Sequence, residues 1–409
     1  MNFVEQALEK FHSAIINTGL YALIADKPEN LIMIAVGLAF CYLAIVKHYE
    51  PYELLPIGLG IVLINLPLHQ MGNFIPPLIL ENGEVTEGLT QNSGLLGIVK
   101  EYGLFTYNIL PPLVFLGLGA ITDFGPLIAN PRMLLLGGAA QVGIFIAFIG
   151  ALLMGFNIHE SAAISIIGGA DGPTTIYLNA MLLPFFEPEN KFIVGVTAVT
   201  AYSYMGLVPI IQPPIMRLMT SQKERQIRMT QLRHISRRTK IIFPLIMMIM
   251  SILLIPQCAP LISMFMIGNV FRESGVVDRL FKSSQNEILN IVTIFLMLSV
   301  GITLRGEEIL NLQTMKILGL GLGAFGLGTA SGILFAKIMN LVSRQKINPL
   351  IGAAGVSAVP MAARVAQEVA YSEDHQNHLI MHAMGPNVAG VIGSAVVAGY
   401  FLSYFQSLL

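Results

Sequence analysis

The sequence predicts an all-α polytopic membrane protein built as two inverted repeats, each interrupted by a broken, re-entrant helical hairpin. Three observations carry this expectation. Apolar residues make up 54% of the 409-residue chain and charged residues only 11%, with a mean hydropathy of +0.70. Apolar segments recur at roughly 31–46, 52–66, 109–122, 133–155, 192–212, 241–256, 259–271, 287–303, 315–341 and 378–404. Two further segments, 158–186 and 347–370, are rich in small residues and broken by Gly and Pro. A soluble domain carries about a quarter charged residues to cover its surface. Without that covering, lipid solvates much of this chain, and a helix needs about 20 residues to cross the bilayer core.

Composition also excludes alternatives. The net charge of −1 rules out a basic nucleic-acid binder. Cys41 and Cys258 lie in apolar stretches without metal-ligand spacing and read as packing residues. No P-loop, Gly-x-Ser-x-Gly elbow or Cys/His cluster is present. The N-terminus, with Glu5 and Glu9 and only Lys10 as a nearby cation, does not read as a signal peptide. Phe3, Leu8, Phe11 and Ile15 repeat at roughly helical spacing and predict an amphipathic interfacial helix.

Loop charge sets orientation. The stretch 217–240 holds Arg217, Lys223, Arg225, Arg228, Arg233, Arg237, Arg238 and Lys240 against the single acid Glu224, and is placed in the cytoplasm. The segment 81–87 carries Glu81, Glu84 and Glu87 without a cation and is placed outside. Counting crossings between them makes 158–186 enter and leave on the outside, and 347–370 on the inside. The C-terminus then lies outside, while the orientation of residues 1–80 stays open. The expected organisation is 1–90 (amphipathic helix and first membrane segments), 91–216 (first repeat), 217–240 (basic loop) and 241–409 (second repeat).

Within the repeats, Ile167-Gly168-Gly169-Ala170 matches Ile351-Gly352-Ala353-Ala354, and Val114–Thr122 resembles Phe295–Thr303. Inverted repeats with broken helices at matching positions point to a transport site near the midplane. Unwinding frees carbonyls that lipid cannot tolerate but an ion or a water-filled cavity can use. The first hairpin tip is Gly168-Gly169-Ala170-Asp171-Gly172-Pro173-Thr174. Pro173 blocks helical geometry at Asp171–Gly172. A buried Asp171 beside free carbonyls suits the hard cation Na⁺, whereas the plainer reading is a helix-capping Asp. In the second hairpin, Ser357 and Arg364 are seven apart and share a face if the helix persists past Pro360. Arg364 offers a planar fork for a carboxylate, and competes with the reading of an interfacial arginine. Asn387, in Met384-Gly385-Pro386-Asn387, marks another expected break, and its repeat counterpart follows Tyr202-Ser203-Tyr204. His382 reads equally as proton relay or packing.

These motifs resemble one family. The stretches Gly168–Thr174, Tyr202–Met205, Val208–Pro214 and Gly355–Arg364, with Asp123–Leu127 and Asn387–Gly390, are similar to the β subunit of sodium-translocating, biotin-dependent decarboxylases. The resemblance spans about residues 95–404. It implies a multi-pass subunit of the cell membrane that decarboxylates carboxybiotin, consumes a proton and exports Na⁺. The carboxybiotin would arrive on a biotin carrier with a carboxyltransferase α subunit. A small γ or δ membrane subunit and a homotrimer of this subunit are also implied. The family fold implies an elevator-like division into scaffold and mobile core. By motif matching, Asp171, Asn387, Gly168, Gly352 and Ser357 would hold Na⁺. Arg364, Ser357, Asn348 and Gly352 would hold carboxybiotin, with Arg364, Ser357, Tyr204 and Asp171 as the catalytic set. The rival expectation is a sodium-coupled carrier of an organic anion without decarboxylation, and a third is an uncoupled proton-relay enzyme or channel.

Overall fold

In the computed structural model, residues 28–67, 94–187, 190–343 and 345–406 are described, together with Tyr21 and Leu23. The expected N-terminal amphipathic helix and the acidic segment 81–87 lie outside the described residues. Among the described residues every regular element is helical. The principal helices are α1 (Pro28–Val46), α2 (Pro51–Asn65), α3 (Leu110–Ile121), α4 (Met133–Ala140), α5 (Val142–Leu153), α6 (Ile158–Ser165), α7 (Gly172–Leu182), α8 (Ile193–Gly206), α9 (Val208–Met219), α10 (Arg237–Leu254), α11 (Ala259–Ser274), α12 (Leu289–Gly301), α13 (Leu312–Val342), α14 (Leu350–Ala353), α15 (Met361–Glu373) and α16 (Ile380–Gln406). Each expected apolar segment contains one of these helices or a pair of them.

Among the described residues four spans are long and apolar enough to cross a membrane: α1, α4 with α5, α13 and α16. The bent pair α8 with α9 (65°) adds to them. Large apolar side chains such as Leu153, Leu218 and Leu253 are mostly exposed. In water this would be costly, but in lipid it is the solvated state. The chain is a membrane protein.

Two compact units divide the chain. The smaller takes residues 1–106 and 294–314. In it, α1 and α2 pack backbone to backbone, because a Cβ on Gly37 would lie 2.7 Å from the Gly58 carbonyl oxygen. Small residues of this kind let apolar helices approach closely. Asn65 closes the end of α2, donating to the Leu304 carbonyl at 2.8 Å and accepting from the Gly306 amide at 2.9 Å.

The larger unit, residues 107–293 and 315–409, holds both hairpins. Phe265 of α11 meets Phe115 edge-on with centroids 5.9 Å apart, and Phe124 at 5.5 Å. Asn269 beside it donates to the Thr122 carbonyl at 2.7 Å, satisfying a buried helix end. The first hairpin starts at a capping box, where Asn157 and Glu160 exchange hydrogen bonds with each other's amides at 2.9 and 3.0 Å. The buried Glu160 carboxylate also accepts from Asn190 at 2.9 Å. This fastens the start of the hairpin to the residues that lead into α8.

One expected break is absent. α16 runs through Pro386 as a single helix, although the segment matched with it in the expected repeat does break, at Leu207 between α8 and α9. Proline inside a membrane helix is tolerated where neighbours support the backbone. Here Gly385 lies against Met133, and Gly390 against the Gly355 carbonyl.

Candidate functional site

Each hairpin is broken at its tip, and the two tips touch. In the first, α6 tightens into a 3₁₀ turn over Ile166–Gly169, Ala170 takes a left-handed conformation (φ 51°), and α7 restarts at Gly172. In the second, α14 ends at Ala353 and α15 begins only at Met361. The Ser357 amide donates to the Gly169 carbonyl at 2.9 Å, joining tip to tip.

Asp171 caps α7. One carboxylate oxygen accepts from the Thr174 amide at 3.0 Å. The other accepts from the hydroxyl of Ser394, on α16. Ser394 in turn accepts from the Ser357 hydroxyl at 3.2 Å. A chain of hydroxyls thus runs from the second hairpin to the carboxylate of the first. Asp171, Ser357 and Ser394 are all buried, and a carboxylate in such surroundings persists only if paired or hydrogen-bonded.

Asn387 ties the second tip to α16. Its amide group donates to the carbonyls of Ala354, Val356 and Ala358 at 3.1, 2.8 and 3.2 Å. The Asn387 carbonyl oxygen is buried and accepts no hydrogen bond among the described residues. A buried acceptor without a partner calls for an explanation, and a bound cation is one way of meeting it.

The remaining expected residues fall in other places. Gly168 and Gly352 serve close packing: Gly168 abuts Gly143 of α5, and Gly352 abuts Gly332 of α13, each against a backbone carbonyl. Tyr204 donates its phenol to the Leu318 carbonyl of α13. Asn348 donates to the carbonyls of Arg225 and Ile227 at 2.8 and 2.9 Å, and so holds the basic loop. Arg364 is exposed, and no described carboxylate pairs with it. The expectation that Ser357 and Arg364 share a helix face is corrected. The helix does not extend back through Pro360, so Ser357 sits in the turn while Arg364 is in the first turn of α15.

Sequence reasoning missed three residues. Ser394 bridges the tips, yet nothing in Gly393-Ser394-Ala395 marks it locally. Gln141, at the junction of α4 and α5, donates to the Gly137 and Gly390 carbonyls at 3.1 and 3.3 Å, and its own buried oxygen accepts nothing among the described residues. Tyr202, quoted only as part of a motif, lays its ring against Gly172 at the first tip.

No group of three or more His, Cys, Asp or Glu side chains forms a metal cluster among the described residues. The tips offer one carboxylate amid carbonyl, amide and hydroxyl oxygens. Such a donor set suits a single hard monovalent cation better than a divalent or thiophilic metal.

A helical membrane protein with two broken hairpins meeting at one buried carboxylate belongs, by fold and site, with proteins that handle ions within the bilayer. Comparison with known proteins specifies the class. Residues 29–405 match the family described as Na⁺-transporting oxaloacetate decarboxylase β subunit. The methylmalonyl-CoA decarboxylase β subunit of Propionigenium modestum is 51% identical over 413 residues, covering 98% of this chain and all of the relative. The glutaconyl-CoA decarboxylase β subunit of Acidaminococcus fermentans is 50% identical, covering 91% of this chain and 92% of the relative. A probable oxaloacetate decarboxylase β chain of Pasteurella multocida is 48% identical, covering 92% and 95%. The chain belongs to the family of β subunits of Na⁺-transporting decarboxylases.

Proposed function

We propose that this chain is the membrane subunit of a sodium-pumping decarboxylase complex. It decarboxylates carboxybiotin delivered by a partner carrier, consumes a proton and moves Na⁺ outward. The observation that carries the reading is the bridge Asp171–Ser394–Ser357, which makes the ionisation of one buried carboxylate depend on how the two tips meet.

Na⁺ is held by Asp171 with the Asn387 carbonyl oxygen, the Ser357 hydroxyl and tip carbonyls near Gly168 and Gly352. In the reaction the N–CO₂⁻ bond of carboxybiotin breaks, CO₂ leaves and the ring nitrogen gains a proton. Asp171 alternates between Na⁺ and a proton, so loss of the ion and use of the proton are linked at one group. Arg364, exposed at the start of α15, receives the carboxylate of carboxybiotin, and Ser357, Asn348, Gly352 and Tyr204 complete that side of the site. Exporting one charge against 100 mV costs about 2.3 kcal/mol before any concentration term. Carboxybiotin must therefore bind the two access states differently. Loss of CO₂ removes the Arg364 contact and releases the inward state.

The two inverted repeats and an elevator-like exchange of core against scaffold belong to this proposal. Supporting them is the parallel construction of the hairpins, each broken at its tip and each packed through one glycine onto a long span. An α subunit with the biotin carrier, a small γ or δ subunit and a homotrimer of this chain complete the complex, in the cell membrane with the basic loop cytoplasmic and the C-terminus outside.

The test is CO₂ release from free carboxybiotin by the purified chain, with and without Na⁺, and by Asp171→Asn. Na⁺-dependent release that the variant loses is expected. Na⁺-driven transport of an organic acid by liposomes containing this chain alone, with no CO₂ release, would establish the carrier reading instead.

A further inference from the structure

Between α4 and α13 the larger unit carries a groove with a polar mouth and an apolar length. At the mouth, Arg132 is exposed and donates to the Ser343 hydroxyl at 3.4 Å. Among the described residues no carboxylate pairs with this guanidinium. Behind it lies a cavity of about 670 Å³ walled by Phe335, Ile338 and Val342. That cavity shares Phe335 and Ile338 with a second of about 550 Å³, which passes Leu135, Gly138 and Val142 along the two spans. The hydroxyl in the second cavity, Ser331, is already satisfied by the Ala139 and Gly328 carbonyls at 2.8 Å each. Its length therefore makes no unmet polar demand.

Gly138 forms part of the second wall. A Cβ there would meet nothing within 4 Å, so this glycine does not serve close helix packing, unlike Gly143 one turn on. Its missing side chain leaves the groove open. Leu135 and Leu334 stand half exposed beside it.

We propose that this groove binds one anionic phospholipid, with its phosphate on Arg132 and Ser343 and an acyl chain lying along Leu135, Gly138 and Val142. Charge decides the occupant. A bare guanidinium at the head of an apolar channel between membrane helices complements an anionic headgroup. A partner's apolar helix seated there would cover the cation without an anion, which is costly. The proposal needs only that α4 and α13 lie in the membrane. The crossing order proposed above adds that the site faces the cytoplasmic leaflet.

The experiment uses the full chain in nanodiscs of phosphatidylcholine doped with phosphatidylglycerol, with retained lipid counted by native mass spectrometry after gentle release. The wild type is expected to retain phosphatidylglycerol, and excess glycerol phosphate is expected not to displace it. Arg132→Gln is expected to lower the preference for phosphatidylglycerol over phosphatidylcholine about tenfold, the scale of one lost charge-assisted contact. Gly138→Leu, which projects into open space, is expected to abolish retention of either lipid without lowering the unfolding temperature. Unchanged retention in both variants would overturn the proposal. So would displacement by glycerol phosphate alone, or a photoactivatable label on Leu334→Cys that captures another protein chain instead of lipid.

Discussion

The hydroxyl of Ser394 donates to the carboxylate of Asp171 across 223 residues of sequence. It fastens α16 to the tip of the first hairpin, while accepting from Ser357 of the second. Removing it leaves a buried carboxylate short of one donor and cuts the link between the tips. A hydrogen bond to a charged group is worth about 1.5–3 kcal/mol. Ser394→Ala is therefore expected to weaken apparent Na⁺ affinity about 10- to 100-fold in the Na⁺ dependence of CO₂ release, and Ser394→Thr to restore most of it. Equal Na⁺ dependence in Ser394→Ala and the wild type would mean that the bridge plays no part in ion binding.

Asn387 makes a separate prediction, because its two ends do different work. The amide group holds three carbonyls of the second tip, while the oxygen accepts nothing among the described residues and is the end that the proposed function assigns to the ion. Asn387→Ala strands those carbonyls in a buried site, at about 1–3 kcal/mol for each left wholly unpaired. The thermal midpoint is expected to fall, and added Na⁺ to lose its stabilising effect. A variant that unfolds earlier yet is still stabilised by Na⁺ like the wild type would confine Asn387 to a structural role.

The sequence made the first tip legible because its signals are local. Glycines, Pro173 and a lone Asp171 in an apolar setting announce both the break and the charge. The second tip was half legible. Its glycines and Pro360 marked a break, but whether helix continued across Pro360 depends on packing, and the structure starts α15 after it. Pro386 shows the converse, a strong local breaker overridden by tertiary contacts on both sides. Ser394 and Gln141 could not be found locally at all. A serine or glutamine in an apolar helix acquires its meaning from partners hundreds of residues away. Asn348 was expected beside carboxybiotin, and its amide group donates to loop carbonyls, since an amide takes whichever acceptors the fold brings near.

The basic loop yields a prediction about redundancy. Asn348 and Asn377 both donate to the same two carbonyls, those of Arg225 and Ile227. Losing one asparagine leaves each carbonyl a partner, and losing both leaves neither. Limited proteolysis within 225–236 is expected to change little in Asn348→Ala or Asn377→Ala and to rise steeply in the double variant. Additive small effects would contradict shared fastening.

Acid should loosen the same region. A hydrogen bond from Arg228, then the Gln376 amide, holds the Asp374 carboxyl below its ordinary value of 3.8. Asp123 is also held below it: burial pushes that carboxyl up, but the Gly125 amide and Lys240 outweigh burial. A depressed carboxyl contributes stability that is fully present above its ordinary value and is lost as pH falls through the folded value. Cleavage of the loop by an acid-tolerant protease is thus expected to be flat from neutral pH down to about 4 and to climb below it. Asp374→Asn should raise cleavage at neutral pH only modestly, because solvent screens an ion pair at the surface.

Arg364 allows ion binding and carboxybiotin binding to be separated. It stands exposed in the first turn of α15, just past Pro360, and no described carboxylate claims it. Ser357, three residues before that proline, faces Ser394. If Arg364 grips the carboxylate of carboxybiotin and takes no part in the ion site, Arg364→Ala should raise KM for carboxybiotin at least tenfold. The Na⁺ concentration giving half-maximal rate, measured at saturating carboxybiotin, should stay unchanged. Arg364→Lys keeps the charge but not the planar fork, so it should recover only part of the lost KM. A parallel loss of Na⁺ affinity in Arg364→Ala would instead place Arg364 in the ion site, and full recovery by lysine would reduce its role to charge alone.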